Sequence, residues 1–363
     1  MKVLLVSTVK LDTNGISRFI INTAEVLKNK GIDVEISSPE KANDEIKKDL
    51  NDLKINLVEF NNRKRHPLKY VINLKSYIKQ NNINIIHVNG SSTIMALELL
   101  AAKLAGVKVR IAHSHNTTTE HPVINRMLRP LFEATVTDRL ACNNAAGEWL
   151  FQNKNFKVIP NGIFLKDFQF NELKRNELRR KLGYTSEDII IGNVGYFNFQ
   201  KNQEFLINLF SKTSESKYKL ILIGVGTNME KDEQLVKNNH LEKQIKFLGS
   251  VNDVNNYLNV LDIFALPSRF EGQPFTLIEA MANGLDTIVS NKVSKETNIN
   301  GKVKYLSLKK SKEWIQSIKE EKIDLLKRKK QSQIYSQALK KRGYDSESNA
   351  ETLIEYYQNL LNN

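Results

Sequence analysis

An α/β fold of two parallel-sheet units in series is predicted by three features of this 363-residue chain. Apolar runs of strand length alternate with amphipathic helical stretches, the alternation restarts near residue 188, and several runs are β-branched and uninterrupted. Strands buried on both faces read this way, and β and α segments in alternation build parallel sheets covered by helices. Two units of roughly 160 to 180 residues match the usual domain size.

Residues 2–8, KVLLVST, are the first strand. Asn14-Gly15 is a turn, and residues 16–31 have helical periodicity with a glycine stop at Gly31. DVEISSP follows as a strand, then INIIHVNG (83–90), a helix over 92–106, and the strand VKVRIAHSHN (107–116). RLACNNAAGEWL and FKVIPNG (156–162) close the first half. The second half opens with DIIIGNVGYF (188–197), a strand and turn, and the helix QEFLINLFSKT. YKLILIGVG (218–226) is a strand ending in Gly-x-Gly, and IKFLGSV, LDIFALPS and LDTIVS continue the alternation. The last segment, SESNAETLIEYYQNLL, is an amphipathic helix. The domains are therefore placed at 1–165 and 166–345, with the terminal helix at 346–363.

Composition bounds the function. No apolar run approaches the ~18 residues of a membrane span. The opening MKVLLVST is too short in its apolar part for a signal peptide. Cys142 is the single cysteine, so no internal disulfide forms and a cytoplasmic location is expected. The net charge is +14, and residues 61–139 hold twelve Lys or Arg against four Asp or Glu. Arg63, Lys64, Arg65 and His66 cluster there beside Pro67, whereas the basic stretch from Lys302 to Arg342 reads as a solvated surface. Basic surface suits nucleic acid, anionic lipid or a phosphorylated substrate. No zinc-finger spacing or aromatic RNA-binding strand is present, which argues against nucleic acid.

Ligands of open parallel sheets bind beyond the carboxyl ends of the strands. After the first strand, Gly15 is either part of an ordinary βα loop or a point where backbone approaches a phosphate or sugar. Within the His113-Ser114-His115-Asn116 stretch, His113 and His115 point to one face by the period of two. Six histidines and one cysteine offer no evident zinc site, so sugar hydroxyls or local acid–base work are the better partners. Lys201 stands before a helix, where the macrodipole is already positive. Lys201 is either an ordinary surface lysine or one that shares an anion such as a diphosphate with the helix.

SRFEGQPFTLIEAMANG (268–284) sets Glu271 and Glu279 on either side of a Gly-x-Pro turn. Thr276 and Glu279 match a capping box, S/T-x-x-E, so Glu279 has a purely structural explanation. Glu271 has none. Gly272 and Pro274 keep the loop tight and leave the amides of Phe275 and Thr276 to form an anion cradle. A carboxylate beside such a cradle grips hydroxyls, and a sugar joined to a phosphate supplies both groups.

These motifs, N-G near the start, H-S-H-N, I-P-N-G, G-x-F-x-x-Q-K-N, F-L-G and E-x7-E in this order, resemble retaining glycosyltransferases of family 4, with the GT-B fold. The resemblance runs from Met1 to the terminal helix. RIAHSHNT, QKNQEFLI and SRFEGQPF are most similar to bacterial enzymes of capsular and exopolysaccharide synthesis. It implies two Rossmann-like domains with parallel sheets facing across a cleft, and a C-terminal helix returning to the N-terminal domain.

For the residues, the resemblance implies that Glu271 contacts the donor sugar with the following loop, that Glu279 holds the ribose, and that Lys201 binds the diphosphate. Phe247, Leu248 and Gly249 frame the base, His115 or else His113 sits near the transferred sugar, Gly15 lies near the donor phosphate, and Asn161 belongs to the I-P-N-G element of the site. Tyr196 stands where the family usually has Arg, Phe164 where it has Asp, and Asp286 where Pro is common. Arg269 is a candidate to supply the cation missing at Tyr196. No D-x-D occurs, so no metal or other cofactor is expected, and the leaving charge meets Lys201 instead.

The expected function is hexose transfer from a nucleotide sugar, with UDP as the expected carrier, to a polyprenyl-diphosphate-linked saccharide at an anionic membrane face. The competing readings are a catalytically weak partner of a true transferase and a GT-B epimerase or phosphorylase.

Overall fold

The first apolar run becomes strand β1 (Lys2–Ser7), in which Val3, Leu4, Leu5 and Val6 are all buried. Burial of consecutive residues means that both faces of the strand are covered, so the run carries no polar alternation. The computed structural model describes every residue except 13, 62, 120, 214, 300 and 363. The chain divides into Met1–Gly162 with Gly343–Asn363, and Ile163–Arg342. The chain thus passes between units at 162 and 342, not at 165 and 345, which moves a few residues at each crossing.

In the first unit β1 is followed by α1 (Gly15–Asn29), β2 (Asp33–Ser38), α2 (Asp44–Asp52), β3 (Asn56–Glu59), α3 (Pro67–Gln80) and β4 (Ile85–Gly90). Next come α4 (Ala96–Ala105), β5 (Val109–Ser114), α5 (Pro122–Thr135), β6 (Asp138–Ala141), α6 (Asn144–Phe151) and β7 (Lys157–Val158). The seven strands form a parallel sheet in the order β3-β2-β1-β4-β5-β6-β7. Leu74, Ile86, Leu99 and Phe132 belong to one hydrophobic cluster of this unit, and Leu5, Phe19, Ile36 and Leu140 to another. The helices α2, α3 and α5 and strand β3 continue the alternation through segments that the sequence analysis left unassigned. Both α3 and α5 begin on a proline, where the missing N–H would have no helical partner in any case.

The basic cluster at 63–66 needs correction. Arg63 is only 9% exposed, and its Nε and Nη2 donate to the two oxygens of Glu98 on α4 at 2.6 and 3.1 Å. Its guanidinium also lies over the Tyr70 ring. Arg63 is thus half of a buried ion pair and offers no charge to a surface, while Lys64 and Arg65 remain exposed.

The second unit runs through α7 (Glu172–Lys181), β8 (Ile189–Val194), α8 (Gln203–Phe210), β9 (Tyr218–Ile223), α9 (Met229–Asn238), β10 (Ile245–Gly249) and α10 (Val254–Leu258). It continues with β11 (Ile263–Leu266), α11 (Phe275–Ala282), β12 (Asp286–Ser290), β13 (Lys304–Leu306), α12 (Ser311–Glu320) and α13 (Leu325–Lys341). Its parallel sheet has the order β10-β9-β8-β11-β12-β13. The basic stretch reaching Arg342 is not wholly solvated either. Arg328 on α13 is buried and donates to the carbonyls of Leu258 and Leu261 at 2.9 and 2.5 Å.

The chain ends in α14 (Ser346–Asn362), which packs on α1 in the first unit. Leu353 and Tyr357 enter its core, and Asn349 Nδ2 donates to the Pro160 carbonyl at 2.7 Å. Among the described residues no helix is long and apolar enough to cross a membrane.

Candidate active site

In the second sheet the strand order reverses between the neighbours β8 and β11. A crevice forms outside the carboxyl ends of two strands at such a point. The loops leaving these strands carry Lys201 and Glu271. Lys201 Nζ lies 2.6 Å from Glu271 Oε1, and both side chains are largely buried. Ser268 Oγ donates to the same oxygen at 3.0 Å. The main chain of Glu271 is pinned as well, its N–H donating to the Lys292 carbonyl and its carbonyl accepting from Ser294 N–H.

Glycine makes this geometry possible. The Lys201 stem crosses Gly195, where a Cβ would stand 3.3 Å from its Cδ and Cε. At Gly224, φ is 134° and a Cβ would come within 2.1 Å of the Gly195 carbonyl oxygen, so the β8 and β9 loops pack backbone to backbone. Asn202 precedes α8 in the left-handed conformation and gives it no side-chain cap. Tyr196, in the position of the family's usual Arg, is 47% exposed.

The capping-box explanation of Glu279 fails. Helix α11 starts at Phe275 with Pro274 as its N-cap, so Thr276 is inside the first turn and the cap residue has no N–H to receive a glutamate. Thr276 Oγ1 is buried without a hydrogen-bond partner among the described residues, and so is Gln273 Oε1 in the same loop. Buried polar atoms without partners are uncommon, and a bound water, ion or ligand is one way to complete their bonding. Glu279, 7% exposed, follows Thr276 by three residues on the same helix face. Gly272 faces open space.

At the end of β10, Phe247 is partly buried and packs on Phe197 with centroids 5.8 Å apart. Leu248 and Gly249, which follow it, are partly exposed as well. The Gly249 carbonyl accepts from Gly224 N–H at 2.8 Å, which ties this segment to the glycine loop.

In the first unit His113 and His115 do share a face, their rings stacked 4.2 Å apart. Their surroundings separate them. His113 is fully buried between His115 and His87, whose Nε2 lies 3.1 Å from His113 Nδ1, and Phe19 meets it edge-on. His113 is therefore packed among rings, and its Nε2 has no hydrogen-bond partner among the described residues. His115 keeps partial exposure. Its Nε2 lies 3.0 Å from Asn89 Oδ1 and its Nδ1 3.0 Å from the Asn161 side chain. Burial pushes its pKa down to about 4. Both ring nitrogens face amide oxygens, Asn161 Oδ1 and Asn89 Oδ1, and a neutral ring donates to one of them, set by its tautomer. Asn161, expected at the substrate, thus orients His115. Gly15 is not a turn residue but the first residue of α1, capped by Asn14, whose Oδ1 accepts from Ser17 N–H at 2.9 Å.

Sequence reasoning missed His87, Asn89, Ser268 and Tyr357. His87 and Asn89 stand two residues apart at the end of a strand assigned correctly, and the rule applied to 113–115 would have found them. Tyr357 could not be paired, because its hydroxyl meets His87 Nδ1 at 2.6 Å across 270 residues of sequence.

Two parallel-sheet units, with a lysine–glutamate pair at the switch point of the second, define a GT-B glycosyltransferase. The Glycosyltransferase Family 4 model matches residues 13–166, and the Glycosyl transferases group 1 model matches 174–342. EpsF of Bacillus subtilis (strain 168), named as a glycosyltransferase, is 30% identical over 308 residues, 80% of this chain and 79% of its own. The UDP-Gal:alpha-D-GlcNAc-diphosphoundecaprenol alpha-1,3-galactosyltransferase of Escherichia coli is 28% identical over 62% of each chain. Anabaena HepE, solved with UDP and glucose, superposes with a TM-score of 0.78 over 99% of this chain and 100% of its own, at 17% identity. The chain belongs to the family 4 glycosyltransferases.

Proposed function

We propose that this glycosyltransferase moves a hexose, with retention of configuration, from a UDP-linked donor to a polyprenyl-diphosphate-linked saccharide during assembly of a bacterial surface polysaccharide. The Lys201–Glu271 pair at the β8/β11 switch point carries this reading. Similarity to EpsF, and to a galactosyltransferase whose name contains UDP-Gal and a diphosphoundecaprenol acceptor, supports the donor and acceptor classes.

Lys201 Nζ has three protons, so it can hold Glu271 and a diphosphate oxygen together. As the glycosidic bond breaks, negative charge grows on the leaving diphosphate, and a lysine already in place stabilises it without reorganisation. Glu271 accepts from sugar hydroxyls and Glu279 from the ribose. His115, held neutral between two amides, meets the transferred sugar as a hydrogen-bonding partner. We take the transfer to need no metal ion, because Lys201 occupies the role that a D-x-D site would give to one.

Work at the inner membrane face is supported by α5. Val123, Ile124 and Met127 stand exposed on its first two turns with Arg126 beside them, and Asn125 anchors the helix to Thr93. Apolar residues edged by arginine suit an anionic lipid surface.

The test is thermal shift with a panel of nucleotide sugars, followed by donor hydrolysis without acceptor, with and without EDTA. A ligand at 100 times its Kd adds about 2.7 kcal/mol of stability. A shift with UDP-sugars and hydrolysis that survives EDTA are expected. Binding without hydrolysis would favour a catalytically weak partner, the reading that Tyr196 in place of Arg supports. No shift with any nucleotide sugar would overturn both.

A further inference from the structure

Arg269 stands beside Glu271, yet its donors point to the other loop. Its N–H donates to the Gln200 carbonyl at 2.7 Å, its Nε to the Phe199 carbonyl at 3.0 Å, and its Nη2 to Asn202 Oδ1 at 2.6 Å. The guanidinium carbon lies 4.4 Å from the centroid of Phe199, a ring otherwise left 67% exposed. Asn202 Nδ2 donates back to the Pro267 carbonyl at 3.0 Å, and Gln200 Nε2 to the Phe270 carbonyl at 3.1 Å. Residues 199, 200 and 202 are thus all fastened to the Glu271 loop. The residue between them is Lys201.

We propose that Arg269 is a positioning residue for Lys201. Nε and Nη2 are committed to the loop, which holds the guanidinium against residues 199 and 202 with its charge intact. A planar fork reaches two acceptors while its face lies on an aromatic ring, a combination that lysine cannot reproduce. Asn202 sits at φ 59°, which asparagine tolerates better than most residues but which still needs support from its surroundings. Arg269 and Pro267 supply that support through the Asn202 amide. Without it the residue can relax, and the backbone carrying Lys201 turns with it. The role of Lys201 at a diphosphate rests on the function proposed above, whereas the fastening of the loop does not.

The test uses the full chain with R269Q, R269K, K201M and the R269Q/K201M double variant. Amide hydrogen exchange over 196–202 reads the loop without any ligand, and UDP is the binding probe. Exchange there should quicken in both R269Q and R269K. UDP affinity should fall about tenfold in both, as expected for loss of charge-assisted hydrogen bonds. The double variant should bind UDP no more weakly than K201M, because Arg269 acts through Lys201. Melting temperatures within a few degrees of wild type would separate loop loosening from unfolding, and F199L, which removes the ring beneath the guanidinium, should quicken exchange in the same segment if R269Q does not fold. Wild-type affinity in R269K, additive losses in the double variant, or unchanged exchange would each overturn the proposal. If the wild type fails to bind UDP while exchange quickens as expected, the clamp stands and the donor-site reading falls.

Discussion

At the scale of a single residue, a carboxylate 2.6 Å from an ammonium cannot be neutralised without changing what the ammonium does. Glu271→Gln frees Lys201 from its counter-charge, so UDP should bind as well as to wild type or more tightly, while turnover falls because the sugar loses its acceptor. That is the pattern of an interaction that strengthens in the transition state. Glu279→Gln should act the other way. With Pro274 at the N-cap there is no capping role to preserve, and loss of a charged acceptor at a buried hydroxyl pair costs about 1.5 to 3 kcal/mol, or about ten- to a hundredfold in UDP affinity. Calorimetry with UDP on both variants checks the division, and identical profiles would refute it. Lys201 and Glu271, which the structure pairs, were legible as candidates because each belongs to a motif contiguous with a strand end. The bonds that Arg269 makes were not legible, because its partners lie about seventy residues away in sequence. The bond between Asn161 and His115 was not legible either, because 46 residues separate them.

At the scale of an element, two helices lost to sequence reasoning, α3 and α5, lie in the basic stretch where charge drew the attention. PLKYVINLKSYIKQ places Tyr70, Val71, Leu74 and Ile78 on the core face of α3, a helical pattern open to inspection. The strands were easier, because β1, β4, β8 and β9 are buried on both faces and the chain says so in consecutive β-branched and leucine residues. Arg63 shows why a basic cluster cannot be interpreted without its acids, for Glu98 neutralises it from α4. Arg63→Ala should therefore destabilise the first unit by about 3 to 5 kcal/mol, since it strands a buried carboxylate, and Arg63→Met with Glu98→Leu should recover much of that loss. Urea unfolding of the three proteins measures it. Arg63→Ala with wild-type stability would show that the pair is dispensable. Membrane attachment should follow α5 instead. Met127→Glu should weaken binding to anionic vesicles without lowering the melting temperature, because Met127 is 74% exposed and supports no core. Sedimentation with anionic and neutral vesicles tests this, and unchanged binding would move the docking surface elsewhere.

At the scale of the whole molecule, the two units differ in what they bury. The first holds a column of neutral rings, in which Tyr357 on α14 meets His87, His87 meets His113, and His113 stacks on His115. Burial pushes the pKa of His87 down to about 3 and that of His113 well below the ordinary 6.5. An unfolded chain has these histidines near 6.5, so between the folded and unfolded values it binds more protons than the native state. Stability contributed by neutral burial is therefore complete above pH 6.5 and declines as pH falls below it. Each histidine gives a slope of about 1.4 kcal/mol per pH unit, or about 2 kcal/mol lost by pH 5. Glu35 and Glu59 in the same unit have pKa values below the ordinary carboxylate range, so their contribution is lost only at lower pH. The chain's two tryptophans fall one in each unit, Trp149 on α6 and Trp314 on α12. Single-tryptophan variants, Trp314→Phe and Trp149→Phe, thus report the units separately. Between pH 7.5 and 5.5 the urea midpoint reported by Trp149 should fall, and that reported by Trp314 should move less. His87→Asn, which keeps a polar atom near Nδ1 but cannot titrate, should reduce the slope seen by Trp149. A slope unchanged by that substitution would assign the acid sensitivity to other groups and leave the histidine column without its predicted effect.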